Sequence, residues 1–161
     1  MNNIKTLFYQ FNLKNIFNIF LHSCTKGYFK FSGRASRKEY LIYFFITFLI
    51  NLIELIVQIL AIYCKNIFFY NIIFYVATII NLFFFIPGIT ITVRRLHDFN
   101  MSGYYILLSL FFMIIIYGYL KIHLQNENDI MILLFISMIL YIPLLFFKGT
   151  PGTNKYGEPP S

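Results

Sequence analysis

The residues best equipped for chemistry fall in short polar stretches of an otherwise apolar chain, and the densest is Arg94-Arg95-Leu96-His97-Asp98-Phe99-Asn100-Met101-Ser102-Gly103. Two adjacent guanidinium groups can grip a phosphate or carboxylate bidentately, and His97 beside Asp98 can titrate near neutral pH. That combination points to an anionic head group or an acidic partner. The competing reading is structural. The Arg pair then obeys the positive-inside rule and caps a helix, while Asp98 and Ser102 satisfy turn and N-cap backbone groups. A triad of Ser102, His97 and Asp98 lacks a nucleophile elbow and an oxyanion-hole motif.

A second polar set lies inside an apolar run. Thr47, Asn51, Glu54 and Gln58 are spaced by four, three and four, so a helix gathers them into one stripe, expected to face Asn81 or Asn71 of the next apolar run. A carboxyl group within a membrane span costs about 2.5 to 3.5 kcal/mol on insertion scales and usually faces a partner or a cavity. A proton or ion relay is one reading of Glu54, and hydrogen bonding that ties two helices together is the other. No second intramembrane charge continues a relay. Cys24 and Cys64 have no CxxC spacing and imply neither a disulfide framework nor a metal site, and no motif calls for a cofactor.

The elements that must position these groups are set by composition. Of 161 residues, 59% are hydrophobic and 12% charged, with a mean hydropathy of +0.71, a balance no soluble core could hide. Apolar runs predict four transmembrane helices at about 40–63, 67–93, 104–120 and 130–147. Ser36 and Glu39 form a capping box that starts the first near Ser36. Pro87-Gly88 predicts a kink in the second, which is expected to end at Arg94-Arg95, leaving 96–103 as a turn-like loop. Lys148, Gly149 and Pro151 predict the stop of the fourth, with Gly149 as a left-handed C-cap.

Residues 1–27 read either as an N-terminal extension with interfacial helical pieces, because Ile4, Leu7, Phe8 and Phe11 share one face while Leu13, Ile16, Phe17 and Phe20 share another, or as a loosely ordered extension. This stretch has no cleavable signal-peptide pattern. The Gly/Pro-rich tail, 149–161, has no phosphate-loop pattern, and its glycines allow turns that fold it back against the basic loop. Seven of the thirteen Lys and Arg residues precede the first span, two lie between spans two and three, and two follow span four. Only Lys65 and Lys121 fall on the other side, so both termini and the 94–103 loop are expected in the cytoplasm. On that face the Asn100-Met101-Ser102 sequon carries little weight.

Three motifs carry a family resemblance: Tyr28-x-x-Phe31-Ser-Gly-Arg-Ala-Ser-Arg-Lys-Glu-Tyr40, then Arg94-Arg-Leu-His-Asp98 with Ser102-Gly103, then Gly149-Thr-Pro-Gly-Thr-Asn-Lys-Tyr-Gly-Glu-Pro159. Together they resemble the bacterial inner-membrane family called domain of unknown function 805. The resemblance implies a small polytopic protein of the bacterial inner membrane and no established activity. The chain departs from the usual pattern in having no Trp, with Leu41, Tyr104 and Tyr105 where the family commonly has Trp, and in a longer N-terminal stretch.

All three motifs fall on the face that the charge count makes cytoplasmic. Arg34, Arg37, Arg94, Arg95, His97, Asp98, Asn154 and Tyr156 are therefore expected to build either a shared site or an internal network locking the helix ends. The sequence points to a non-enzymatic, multi-pass inner-membrane component whose basic face binds anionic lipid head groups or a protein partner. A homo-oligomer is compatible with the same features, and a nucleic-acid partner is not expected. A small transporter or ion conductor using Glu54, and a lipid head-group enzyme using His97 and Asp98, are the alternatives.

Overall fold

The computed structural model describes residues 13–123 and 141–160. The described residues form α1 (Leu13–Cys24), α2 (Arg37–Tyr63), α3 (Ile67–Asp98) and α4 (Tyr104–His123), and residues 141–146 add a further helical piece. No strand occurs among the described residues, where an isolated bridge pairs Asn154 with Gly157. The expected interfacial piece within residues 1–12 and most of the fourth span lie outside the described residues. The chain divides into two units, one of residues 1–30 and 38–91, the other of 31–37 and 92–161.

α2 begins one residue after Ser36, where the capping box places it, and carries Glu39 in its first turn. At about 1.5 Å per residue its 27 residues reach about 40 Å, more than the roughly 30 Å of a bilayer hydrocarbon core. Among the described residues, α2 and α3 are the two helices long and apolar enough to cross a membrane, and Tyr104–Ile116 is a shorter apolar segment. Phe45, Phe48, Ile53, Phe68, Phe83, Phe111 and Ile114 are all exposed on these three helices, an arrangement suited to lipid rather than water.

In the first unit, α3 runs through Pro87 as one helix. Proline has no N–H for the carbonyl four residues back, which is Phe83 O, and the Tyr28 hydroxyl donates to that oxygen instead at 3.0 Å. The Tyr43 hydroxyl donates to the next carbonyl, Phe84 O. Thr90 Oγ1, fully buried, donates to Tyr28 O at 2.9 Å. Phe20 of α1 packs against the rings of Tyr43 and Phe84, with centroids 5.8 and 5.7 Å away.

The apolar face read from the spacing of α1 is divided between cover and exposure. Ile16, Ile19, Phe20, Ser23 and Cys24 are the covered or partly covered positions, while Leu13, Phe17 and Leu21 stay exposed. Ser23 can be buried because its hydroxyl donates to Ile19 O within the helix. Burial pushes the Cys24 thiol up to about 11, so it behaves as a packing residue. Cys64 is exposed.

A second difference lies at the end of α3. The helix does not stop at Val93 but continues through Arg94–Asp98, so only Phe99 to Gly103 form the turn. The termination is a Schellman motif: Asn100 takes a positive φ of 62°, Met101 N donates to Leu96 O and Asn100 N donates to His97 O. The extra turn is held by Arg95 and Asp98, which pair three residues apart on one helix face.

Candidate functional site: a buried knot around Asp98

The second unit is organised around the Asp98 carboxylate. Arg34 approaches it from the segment before α2, with Nε donating to Oδ1 at 2.9 Å and Nη2 lying 2.7 Å from the same oxygen. Arg95 pairs with the other oxygen, Oδ2, from one turn earlier in α3. Side chains of both arginines are 1% exposed and that of Asp98 5%, so two buried cations share one buried anion.

The second positive charge is met by backbone oxygen. Arg95 Nε donates to Leu144 O at 2.9 Å and Nη2 donates to Phe147 O at 2.5 Å, which places a guanidinium on the open carbonyl end of the last helical piece. Arg34 Nη1 donates to Gly152 O at 2.6 Å and Nη2 to Thr150 O at 2.7 Å. The Arg95 guanidinium also lies over the Phe99 ring, 4.7 Å from its centre.

The tail is stitched to the same place. Thr150 donates to Asp98 O twice, from its amide at 2.8 Å and its hydroxyl at 3.0 Å. Asn154 Nδ2 donates to His97 O at 2.9 Å, and the Tyr156 ring stacks on the His97 ring at 3.8 Å with 5° between planes. The far edge of His97 is fixed by Gly33: Nδ1 lies 3.1 Å from Gly33 O, and since a carbonyl only accepts, the contact assigns the ring hydrogen to Nδ1. Ala35 N donates to Arg94 O at 3.0 Å, completing the attachment of residues 33–35 to the end of α3.

Of the residues singled out by sequence, Arg34, Arg95, His97, Asp98, Asn154 and Tyr156 are brought together. Arg94 is buried beside them, and Arg37, exposed, donates to Phe146 O at 3.2 Å. Ser102 stands apart as a weak cap of α4, its hydroxyl accepting from Tyr104 N at 3.4 Å. Thr150 and Gly149 also carry the knot. Thr150 was not distinguished from the rest of the tail. Gly149 was expected as a left-handed cap, but its φ is not positive, and a Cβ there would fall onto the Asp98 carboxylate. Glycine is needed at 149 for close approach, not for backbone freedom.

A cavity of about 200 Å³ lies on this knot, with Arg34, Arg37, Arg95 and Lys148 as its cations and Asp98 as its anion. Arg37 and Lys148 are exposed there.

In the first unit the polar stripe of α2 meets α3 at one point. Asn81 Nδ2 donates to Glu54 Oε2 at 2.7 Å and to Ala77 O at 2.9 Å. Asn81, rather than Asn71, is therefore the partner. Glu54 Oε1 is buried with no hydrogen-bond partner among the described residues. Thr47 and Asn51 turn back on their own helix, Thr47 Oγ1 to Tyr43 O and Asn51 Nδ2 to Thr47 O. Gln58 and Asn81 line a separate cavity of about 390 Å³.

Residues 28–158 match the family described as Protein of unknown function (DUF805), a stretch that contains every residue of the knot. The chain belongs to the DUF805 family. Its relatives include Inner membrane protein YhaI of Escherichia coli strain K12 and of Escherichia coli O157:H7, each 29% identical over 141 residues, which is 86% of this chain and 92% of the relative. No solved structure matches. With its long apolar helices, this DUF805 chain is a protein of the inner membrane. The family match opens at Tyr28, whose hydroxyl covers the carbonyl freed by Pro87, and closes at Glu158, just past the Asn154–Gly157 bridge.

Proposed function

We propose that this DUF805 protein is a non-enzymatic, four-span component of the inner membrane, with both termini cytoplasmic, whose basic face binds the phosphate of anionic lipid head groups. Topology rests on the charge count, in which eleven of thirteen Lys and Arg residues fall on one side of the four expected spans. The observation that carries the binding reading is the cavity in which four cations, Arg34, Arg37, Arg95 and Lys148, face one carboxylate.

The cations divide the work. Arg34 and Arg95 are spent on Asp98 and on backbone carbonyls, so they hold the wall of the cavity in shape. Arg37, with one of its five donors on Phe146 O, and Lys148 supply exposed donors at the rim, where a phosphate can be gripped without breaking the fold. Catalysis is disfavoured by the same geometry. Asp98 has both oxygens taken by guanidinium groups, and His97 has one nitrogen on Gly33 O and a face under Tyr156.

The test is mild extraction of the tagged full chain from its native membrane, beside an Arg37→Ala/Lys148→Ala variant, with mass spectrometry of co-purifying lipids. Anionic lipid enriched over the bulk membrane and lost in the variant is the expected result. Identical lipid profiles in the two samples would overturn the reading.

A further inference from the structure

A larger cavity of about 530 Å³ lies in the same unit, walled mainly by apolar side chains of α3, α4 and residues 141–144. Leu96, Met101, Ile106, Phe112 and Leu144 line it with hydrocarbon. Pockets that hold an organic ligand run from about 300 to 1,000 Å³ and are largely apolar, with few polar groups. This cavity falls within that range.

Two of its polar side chains are engaged with each other. Ser109 Oγ donates to Ile106 O at 2.8 Å, and the Tyr141 hydroxyl lies 3.5 Å from Ser109 Oγ. With the serine hydrogen committed to Ile106 O, the tyrosine hydroxyl is left as the donor of that pair. A polar solute entering the cavity would give up its own hydration for a wall that is mostly hydrocarbon, whereas a hydrocarbon chain gives up nothing.

A hydrogen bond joins the walls of the two cavities. Arg95 lines the basic cavity, Leu144 lines the apolar one, and Arg95 Nε donates to Leu144 O. Cationic donors on one side of that bond and an apolar chamber on the other match the two halves of an anionic phospholipid. We infer that the 530 Å³ cavity holds one acyl chain of the lipid whose phosphate sits at Arg37 and Lys148. The placement of the head group rests on the function proposed above; the chain site stands on its own walls.

The chain contains no Trp, so Phe112→Trp provides a single fluorophore on the cavity wall. The full-length variant is reconstituted into phosphatidylcholine vesicles containing a small fraction of phosphatidylglycerol with brominated acyl chains, which quench Trp on contact. The expected result is quenching well above that set by the mole fraction of brominated lipid. Ser109→Phe, which fills the cavity, should return it to the random level, and Ser109→Ala, which leaves the volume, should not.

Brominated phosphatidylcholine in place of phosphatidylglycerol separates the two ideas. Equal enrichment of both lipids, abolished by Ser109→Phe, upholds the chain site and removes the head-group preference. A preference for phosphatidylglycerol that Arg37→Ala/Lys148→Ala abolishes but Ser109→Phe leaves intact upholds the head-group site and overturns the chain site. Quenching that follows mole fraction for every protein also overturns the chain site.

Discussion

Asp98 and Glu54 are both carboxyl groups placed where water is scarce, and they are treated in opposite ways. Asp98 has each oxygen on a guanidinium and its own backbone carbonyl on Thr150. Glu54 has one oxygen on Asn81 and the other buried with no partner among the described residues. The knot ties together residues 64 and 118 positions apart, while the Glu54 contact joins neighbouring helices 27 positions apart. A buried charge is strongly held only where several chain segments converge to supply donors, and in this protein that convergence lies at the end of α3.

The largest effect should come from Asp98→Ala. Removing one partner of a buried ion network leaves uncompensated charge and costs about 3 to 5 kcal/mol, and here two buried guanidinium groups lose the same anion. Thermal unfolding in detergent should therefore show Asp98→Ala far below wild type, with Glu54→Ala shifted much less. If the two variants shift equally, the contrast between the regions is wrong.

Gly149→Ala should follow, at about 1 to 3 kcal/mol, the usual cost of forcing atoms into a filled space. The added methyl must displace either the Asp98 carboxylate or the tail that passes it. Gly118→Ala in α4 is the control, because a Cβ there meets nothing within 4 Å and alanine is the better helix former. Comparable unfolding curves for the two variants would mean that the tail does not pack against Asp98.

Much of the fold was legible because its signals are local. The apolar runs gave α2, α3 and α4, and Ser36 with Glu39 gave the start of α2. The end of α3 was misplaced because Arg94 to Asp98 look like loop residues one at a time. Their helical character depends on the Arg95–Asp98 pairing and on Asn100 accepting a left-handed conformation. Site membership was legible by residue type, whereas the pairing was not. Arg34, Arg37, Arg94 and Arg95 are equivalent claimants for Asp98 in sequence, and only the folded path of the chain decides that Arg34 and Arg95 take it. The role of Gly149 is invisible for the same reason, since a close approach is a property of two segments.

Tyr156→Ala should have a smaller effect, about 0.5 to 1.5 kcal/mol for the lost ring stacking on His97. It should appear locally, as faster amide exchange and proteolysis at residues 149–158, with the apolar helices protected as before. Tyr156→Phe keeps the stacked ring and should match wild type. Exchange rising throughout the protein would show that the tail and the Asp98 network are one cooperative unit.

The smallest effect is expected from the Glu54–Asn81 contact, and a double-mutant cycle measures it directly. Glu54→Leu and Asn81→Leu each leave one polar group facing an apolar side chain, while the double variant removes both and replaces the contact with hydrocarbon. Interhelical hydrogen bonds inside membranes couple by about 0.6 kcal/mol on average and reach about 1.7 kcal/mol at most. A coupling near the average, with the double variant close to wild type in stability, is what a carboxyl with one unbonded oxygen should give. A coupling above that maximum would mean that Glu54 is as fully engaged as Asp98, and the contrast between a saturated and a half-satisfied carboxyl would disappear.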